Sequence, residues 1–309
     1  MEKNCLILGG GGFIGSNFSK FLSQKGYKVV SIGRNVNWEF AQTLPDVQFI
    51  ECKFEDEDEI FKHAKQSDCI IHLISSLSPR SSYKENLKGI SVDLLQTSKL
   101  LEFLRINNPE CSILYASSGG AVYGNCSNNK AKEEDILSPI TYYGLIKINI
   151  EQMLIMYNRM YGTRHKIMRI SNPYGEGQDI NSGIGIINVL LQNYLNKKTT
   201  TIWGDGSAIK DYLYIDDLCS AVFDLIRYQG KEAIFNIGSG VGTSINEIIE
   251  IMSNILGEQL LIEYTKKKDT DISYIVLDTS KAENELGFKC LYDMEKGILK
   301  YSRLLRLAK

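Results

Sequence analysis

A short apolar run that passes directly into four glycines constrains this chain more than any other feature. Residues 4–8 (NCLIL) read as a buried strand, and residues 14–25 read as a helix. Between them lies Gly9-Gly10-Gly11-Gly12-Phe13-Ile14-Gly15-Ser16. Gly9, Gly12 and Gly15 fit G-x-x-G-x-x-G, and Gly10, Gly12 and Gly15 fit G-x-G-x-x-G. Such a loop needs glycine because a side chain would keep the backbone away from a pyrophosphate. The helix N-terminus then offers N–H groups and a positive partial charge. The same letters would also serve a tight turn that binds nothing. Their place in the first strand-to-helix turn favours dinucleotide binding.

The rest of the first half repeats the pattern. Residues 28–32, 47–51, 69–74 and 112–116 read as strands; 57–66 and 85–107 read as helices. On the second of these helices, Leu94, Leu95, Leu101 and Leu104 form the expected apolar side. Continuous apolar strands alternating with helices imply a parallel sheet covered on both faces, a doubly wound α/β (Rossmann) fold. After about residue 170 the texture changes to loops rich in Gly, Asn and Asp, at 171–185, 204–210 and 238–243, with a helix near 281–286. The expected division is a dinucleotide-binding domain over 1–170 and a smaller α/β substrate lobe over 171–309, with some of the chain crossing back. The 309 residues suffice for two such units.

Composition removes several classes. Lys plus Arg is 35 and Asp plus Glu is 37, a net charge of −2, which argues against nucleic-acid binding through bulk charge. No apolar run approaches the ~20 residues of a membrane span, and the N-terminus lacks the long apolar stretch of a signal peptide. Seven cysteines without a C-x-x-C pair suggest reduced thiols, mostly core filler, and a cytoplasmic location. His63, His72 and His165 lack zinc-ligand spacing, so no metal site is expected. The acidic run 55–59 reads as a solvated helix start.

Two further patterns carry chemistry. The second strand ends in Ser31-Ile32-Gly33-Arg34-Asn35, without the acid that usually holds the ribose 2′-hydroxyl of NAD. Arg34 could pair a 2′-phosphate with a fork of donors, so NADPH is the expected cofactor and NAD the alternative. In the bland alternative, Arg34 stacks on adenine or points to solvent. Tyr143 and Lys147 form Y-x-x-x-K, and on a helix they share one face about 6 Å apart along the axis. Tyr142, one residue off, shares that face less well. A neighbouring ammonium lowers a tyrosine pKa from about 10, suiting the phenol to exchange a proton with a sugar hydroxyl or ketone. Alone, the spacing is equally that of a surface helix pair.

Together with Ser117-Ser118-Gly119-Gly120-Ala121-Val122-Tyr123-Gly124 and Arg169-Ile170-Ser171-Asn172-Pro173-Tyr174-Gly175, these patterns resemble the extended short-chain dehydrogenase/reductase family. More narrowly, they resemble its nucleotide-sugar epimerase, dehydratase and reductase branch. The resemblance continues through Lys210-Asp211-Tyr212, Asp216-Asp217, Asn236-Ile237-Gly238 and Asp278-Thr279-Ser280-Lys281, so it covers nearly the whole chain. It implies that Tyr143 is the acid/base, that Lys147 holds the nicotinamide ribose, and that Gly9, Gly12, Phe13, Ile14, Gly15, Arg34, Phe54 and Leu73 lie along the cofactor. Where relatives carry a Ser or Thr for the C4 oxygen of the sugar, this chain has Gly119; Ser118 is the named substitute, with Ser117 or a water as the alternatives and a hydrogen bond at the strand end as the bland role of Ser118. Asn172, Lys210 and Lys268 fall on the diphosphate-binding positions, with lysine where relatives often place arginine. Lys53 replaces an acid beside the adenine.

The implied activity is hydride transfer at a sugar carbon, with a nucleotide-diphosphate sugar as partner. The first expectation is a reductase in polysaccharide or O-antigen sugar biosynthesis. It would use NADPH to reduce a 4-keto-6-deoxyhexose nucleotide, such as a dTDP-4-dehydro-6-deoxyglucose, with Tyr143 donating the proton. The alternatives are an NAD-dependent 4-epimerase of the UDP-glucose or UDP-GlcNAc type and, in another class, a non-catalytic dinucleotide sensor. Dehydration wants an Asp-Glu pair where Gly120-Ala121 stands. A homodimer is expected by analogy.

Overall fold

The first strand, β1 (Asn4–Leu8), lies near the middle of a seven-stranded sheet in a computed structural model that describes residues 3–78, 81, 83–126, 129–266 and 272–307. The other strands include β2 (Lys28–Gly33), β3 (Val47–Glu51), β4 (Cys69–His72), β5 (Ser112–Ser118) and β6 (Lys166–Ile170). The order across the sheet is Ile234–Ile237, β6, β5, β4, β1, β2, β3. β1 pairs in parallel with both β2 and β4, so the strand order reverses there. In open parallel sheets, ligands bind outside the carboxyl ends of the strands at such a reversal. β4 and β6 are buried along their whole length, as apolar strands covered on both faces must be.

The chain forms two compact units. The first comprises residues 1–122, 139–169 and 222–235; the second comprises 123–138, 170–221 and 236–309. The second unit contains a small sheet in which Ile209–Tyr214 pairs in parallel with Asn172–Tyr174 and Tyr274–Ile275, and antiparallel with Gly242–Ser244. The buried Asp211 carboxylate ties this sheet to its loops, accepting from the backbone N–H groups of Ser239, Gly240 and Leu277 and from the Ser239 hydroxyl.

The expected long helix over 85–107 departs from regularity in an instructive way. It comprises Tyr83–Lys88, a π-helical turn Gly89–Leu94, and Leu95–Asn107. A π turn adds a residue and rotates the following face. As a result Leu95 is 48% exposed, against the expected pattern, while Leu100, Leu101 and Leu104 are buried. The acidic run does start a helix, Glu57–Ala64, with Glu57, Asp58 and Glu59 in its first turn. Among the described residues, no helix is long and apolar enough to cross a membrane.

Candidate active site

The glycine loop is built so that its atoms leave no room on one side and open space on the other. Gly9 has φ +95°, a conformation that favours glycine. The Gly9 and Gly10 N–H groups donate to the Ile32 carbonyl at 2.8 Å each, pinning the loop to the end of β2. A Cβ on Gly15 would lie 2.3 Å from the Gly9 oxygen, so glycine there lets the helix Phe13–Gln24 approach the strand. A Cβ on Gly12 would meet only the Gly9 oxygen, at 3.5 Å. Gly12 is also the helix N-cap, with no side-chain cap bond. The space beside Gly12 thus lies at a helix N-cap, where free backbone N–H groups would receive a dinucleotide pyrophosphate. Phe13 and Ile14 open the helix and are half-buried. Leu73 flanks the loop, its Cβ 3.1 Å from the position of a Gly9 Cβ. Phe54 is instead 4% exposed, its ring edge-on to His72 at 5.1 Å, so its side chain belongs to the core beneath the loop.

At the end of β2, Arg34 is exposed. The next strand supplies a feature that sequence reading missed. Glu51, at the end of β3, accepts a hydrogen bond from the Val36 N–H at 3.2 Å and pairs in register with Gly33. A carboxylate therefore stands beside the Arg34–Val36 loop after all. Lys53 is exposed, its N–H donating to Asp56.

Tyr143 and Lys147 lie on the helix Tyr142–Tyr161, capped by the Thr141 hydroxyl accepting from the Gly144 N–H at 3.1 Å. Lys147 is 3% exposed; its Nζ donates to the Ala116 carbonyl at 2.7 Å and sits 4.7 Å from the Tyr115 ring centroid and 5.5 Å from that of Tyr143. Burial brings the Lys147 pKa down to about 8, opposed by the Asp93 and Glu151 carboxylates. Tyr143 is half-buried. The surrounding protein raises its pKa above 10, partly offset by a hydrogen bond with the Ser118 hydroxyl, and the Asp93 charge raises it further. This corrects the expectation that Lys147 brings the phenol down. The ammonium is engaged by the Ala116 carbonyl, and burial of the phenol dominates. The phenol thus holds its proton at neutral pH, the state a proton donor needs.

Ser118 ends β5 and lies close enough to Tyr143 for its hydroxyl to favour the ionised phenol. Asp93, in the π turn, is a second missed residue: 1% exposed, it accepts from the Ser76 N–H at 2.9 and 3.0 Å and from the Ser75 hydroxyl at 3.2 Å. No spacing rule links it to Lys147, which lies 54 positions away. A cavity of about 540 Å³ beside Tyr143 is lined by Ser78, Ser81, Asn86, Thr141 and Tyr142, among others. His72 and His165 are buried and held neutral, their pKa values lowered by burial to about 3 and about 4.

In the second unit, Asn172 donates from Nδ2 to the Asp211 carbonyl at 2.7 Å, and Lys210 lies on the adjoining strand Ile209–Tyr214. Those two candidates share one small sheet. Lys268 lies outside the described residues.

The profile of the NAD dependent epimerase/dehydratase family matches residues 5–238. This chain belongs to that family. Among relatives of the family, a putative UDP-glucose 4-epimerase of Methanocaldococcus jannaschii is 32% identical over 95% of each chain. A dTDP-4-dehydro-6-deoxyglucose reductase of Escherichia coli is 31% identical over 99% of this chain and 98% of that one. Among solved structures, the UDP-glucose 4-epimerase of Thermotoga maritima, determined with UDP-glucose, superposes with a TM-score of 0.91 at 28% identity, covering 98% of each chain. The family is thus one of nucleotide-sugar epimerases and reductases, with NAD as its cofactor and the Rossmann sheet as its frame.

Proposed function

We propose that this chain exchanges a hydride and a proton at C4 of the sugar of a nucleotide-diphosphate sugar, with Tyr143 as the proton-transferring group. The observation that carries the reading is the apposition of the helix face bearing Tyr143 and Lys147 to the carboxyl end of β5, with Lys147 Nζ on the Ala116 carbonyl at 2.7 Å and 5.5 Å from the Tyr143 ring centroid. A bound nicotinamide supplies or takes the hydride. Tyr143, protonated at neutral pH, gives its proton to the C4 oxygen during reduction of a 4-ketone; Ser118 orients that oxygen; Lys147 holds the nicotinamide ribose. Gly9, Gly12 and Gly15 admit the pyrophosphate, and Asn172, Lys210 and Lys268 are the proposed diphosphate contacts.

Two net reactions use this arrangement. Reduction of a 4-keto-6-deoxy sugar nucleotide by NADPH is supported by Arg34 at the end of β2 and by the similarity to the reductase relative. Epimerisation at C4 with retained NAD is supported by Glu51, whose negative charge beside the Arg34–Val36 loop disfavours a 2′-phosphate, and by the similarity to the UDP-glucose 4-epimerases. Incubating the protein with NADPH or NAD and a panel of UDP- and dTDP-sugars, followed by mass spectrometry, separates them. Stoichiometric NADPH loss marks the reductase, and redox-neutral isomerisation the epimerase. The absence of both would refute the proposal.

A homodimer is part of the same proposal. Leu87, Ile90 and Leu95 on one helix run, and Leu145, Met156 and Met160 on the helix Tyr142–Tyr161, are large apolar side chains left 44–61% exposed within one unit. A second copy would cover them.

A further inference from the structure

We propose that Glu151, together with Arg169 and Ser117, is a positioning group for the reaction at Tyr143: it locks the end of β5 to the helix, so that the Ser118 hydroxyl stands where Gly119 supplies none. The inference rests on the hydride-transfer reading above.

Tyr143, Lys147 and Glu151 are spaced i, i+4, i+8 and share one helix face. Three successive residues of β5 each engage one of them. The Ala116 carbonyl accepts from Lys147 Nζ, the Ser117 hydroxyl donates to Glu151 Oε1, and Ser118 follows beside Tyr143, its hydroxyl favouring the ionised phenol. Neighbouring residues of a regular strand face opposite sides. Ser117 and Ser118 both reach the same helix because the strand ends at Ser118 and the chain turns into Gly119–Val122. That turn packs hard on the helix: a Cβ on Gly144 would lie 2.5 Å from the Ala121 carbonyl oxygen. Ser117 is therefore the last anchored strand residue before the turn, and any slack there passes to its neighbour, Ser118.

The anchor itself is held by an ion pair. Glu151 is 0% exposed and Arg169, at the end of β6, is 2% exposed. Arg169 Nη2 donates to Glu151 Oε2 at 2.7 Å, and Nε lies 3.2 Å from both carboxylate oxygens. Burying two charges in this way adds little net stability, since the desolvation cost offsets the attraction. Geometric specificity is what such a pair provides, and here it is delivered to the strand that carries Ser118. Glu151 does not itself reach the reacting atoms, because its oxygens are taken by Arg169 and Ser117.

The test is Ser117→Ala in the full chain, which cuts the strand from Glu151 and leaves the ion pair intact. The expected result is a fall in kcat of about tenfold or more, with KM for the nucleotide sugar within about threefold of the parent. Ser117→Thr, which keeps the hydroxyl, restores kcat. A second readout needs no turnover. In the ultraviolet titration of Tyr143, taken as the difference between a protein and its Tyr143→Phe partner, the midpoint should rise as the Ser118 hydroxyl moves away from the phenol. Unchanged kcat and an unchanged titration overturn the positioning role. A shifted titration in a protein that turns over no nucleotide sugar upholds the lock and refutes the functional reading instead. Should Ser117→Ala fail to fold, Glu151→Gln combined with Arg169→Gln removes both charges together and carries the same two readouts.

Discussion

Gly12 and Gly15 sit three residues apart in one loop, yet they should fail in different ways when replaced by alanine. At Gly15 the new Cβ would lie 2.3 Å from the Gly9 oxygen and 2.6 Å from the Gly10 Cα. Ordinary contact begins at 3.4 Å, so backbone must move by about 1.1 Å. Both obstructing atoms are main chain and cannot rotate away. Overpacking of this kind costs about 1–3 kcal/mol, and each kcal/mol lowers Tm by roughly 2–4 °C in a chain of this size class. The displaced loop should also bind dinucleotide poorly. At Gly12 the φ of −87° suits alanine, and the Cβ meets nothing closer than 3.5 Å. Its cost to the fold is the weaker cap alone, no more than about 1 kcal/mol. Yet the methyl group would stand in the space offered to the pyrophosphate. Thermal melts paired with titration calorimetry of NAD and NADPH separate the two. Gly15→Ala should lose both stability and binding; Gly12→Ala should keep its Tm to within a few degrees while Kd rises at least about tenfold, or 1.4 kcal/mol. Parental dinucleotide affinity in Gly12→Ala would refute the reasoning for the whole loop.

Other consequences follow from burial and charge. His72 and His165 have folded pKa values of about 3 and about 4 against 6.5. The unfolded chain therefore binds more protons below pH 6.5, and the stability they contribute is present above that pH and lost as pH falls toward the folded values. Urea unfolding should weaken between pH 7 and 5, by up to roughly 1.4 kcal/mol per histidine for each pH unit below 6.5; a flat profile contradicts it. Met160→Glu places a charge on the exposed apolar row and should convert a dimer to monomers in sedimentation velocity at unchanged helicity, whereas a persistent dimer would remove this surface from the proposal. Arg34→Ala should lower kcat/KM for NADPH about tenfold or more while leaving NADH within twofold, if Arg34 grips a 2′-phosphate; equal losses would leave Glu51 as the governing charge.

Much of the frame was legible because it is local. A strand, a glycine turn and a helix are written consecutively in residues 4–25, and the period of the apolar runs announced the parallel sheet. Tyr143 and Lys147 were visible because helix spacing alone puts them on one face. What escaped was set by apposition of distant segments. Glu51 meets Val36 across 15 positions, Ser117 meets Glu151 across 34, and Asp93 reaches Ser76 across 17 from a π turn that no apolar period signals. That turn also explains why Leu95, placed in the core by an unbroken helical period, faces outward. The sign of the Tyr143 shift failed for a related reason. Spacing revealed the lysine but not the carbonyl of Ala116 that engages it, nor the density of protein around the phenol.

The most direct test of the account is stopped-flow observation of nicotinamide absorbance in Tyr143→Phe beside the parent, each first shown by calorimetry to bind dinucleotide and nucleotide sugar. The parent should exchange hydride with the sugar, seen as net loss of reduced nicotinamide or its transient appearance. The variant should bind both ligands with parental affinity and exchange hydride at least about a thousandfold more slowly. Hydride exchange at the parental rate without the phenol would contradict the assignment of Tyr143, and with it the chemistry proposed for the site.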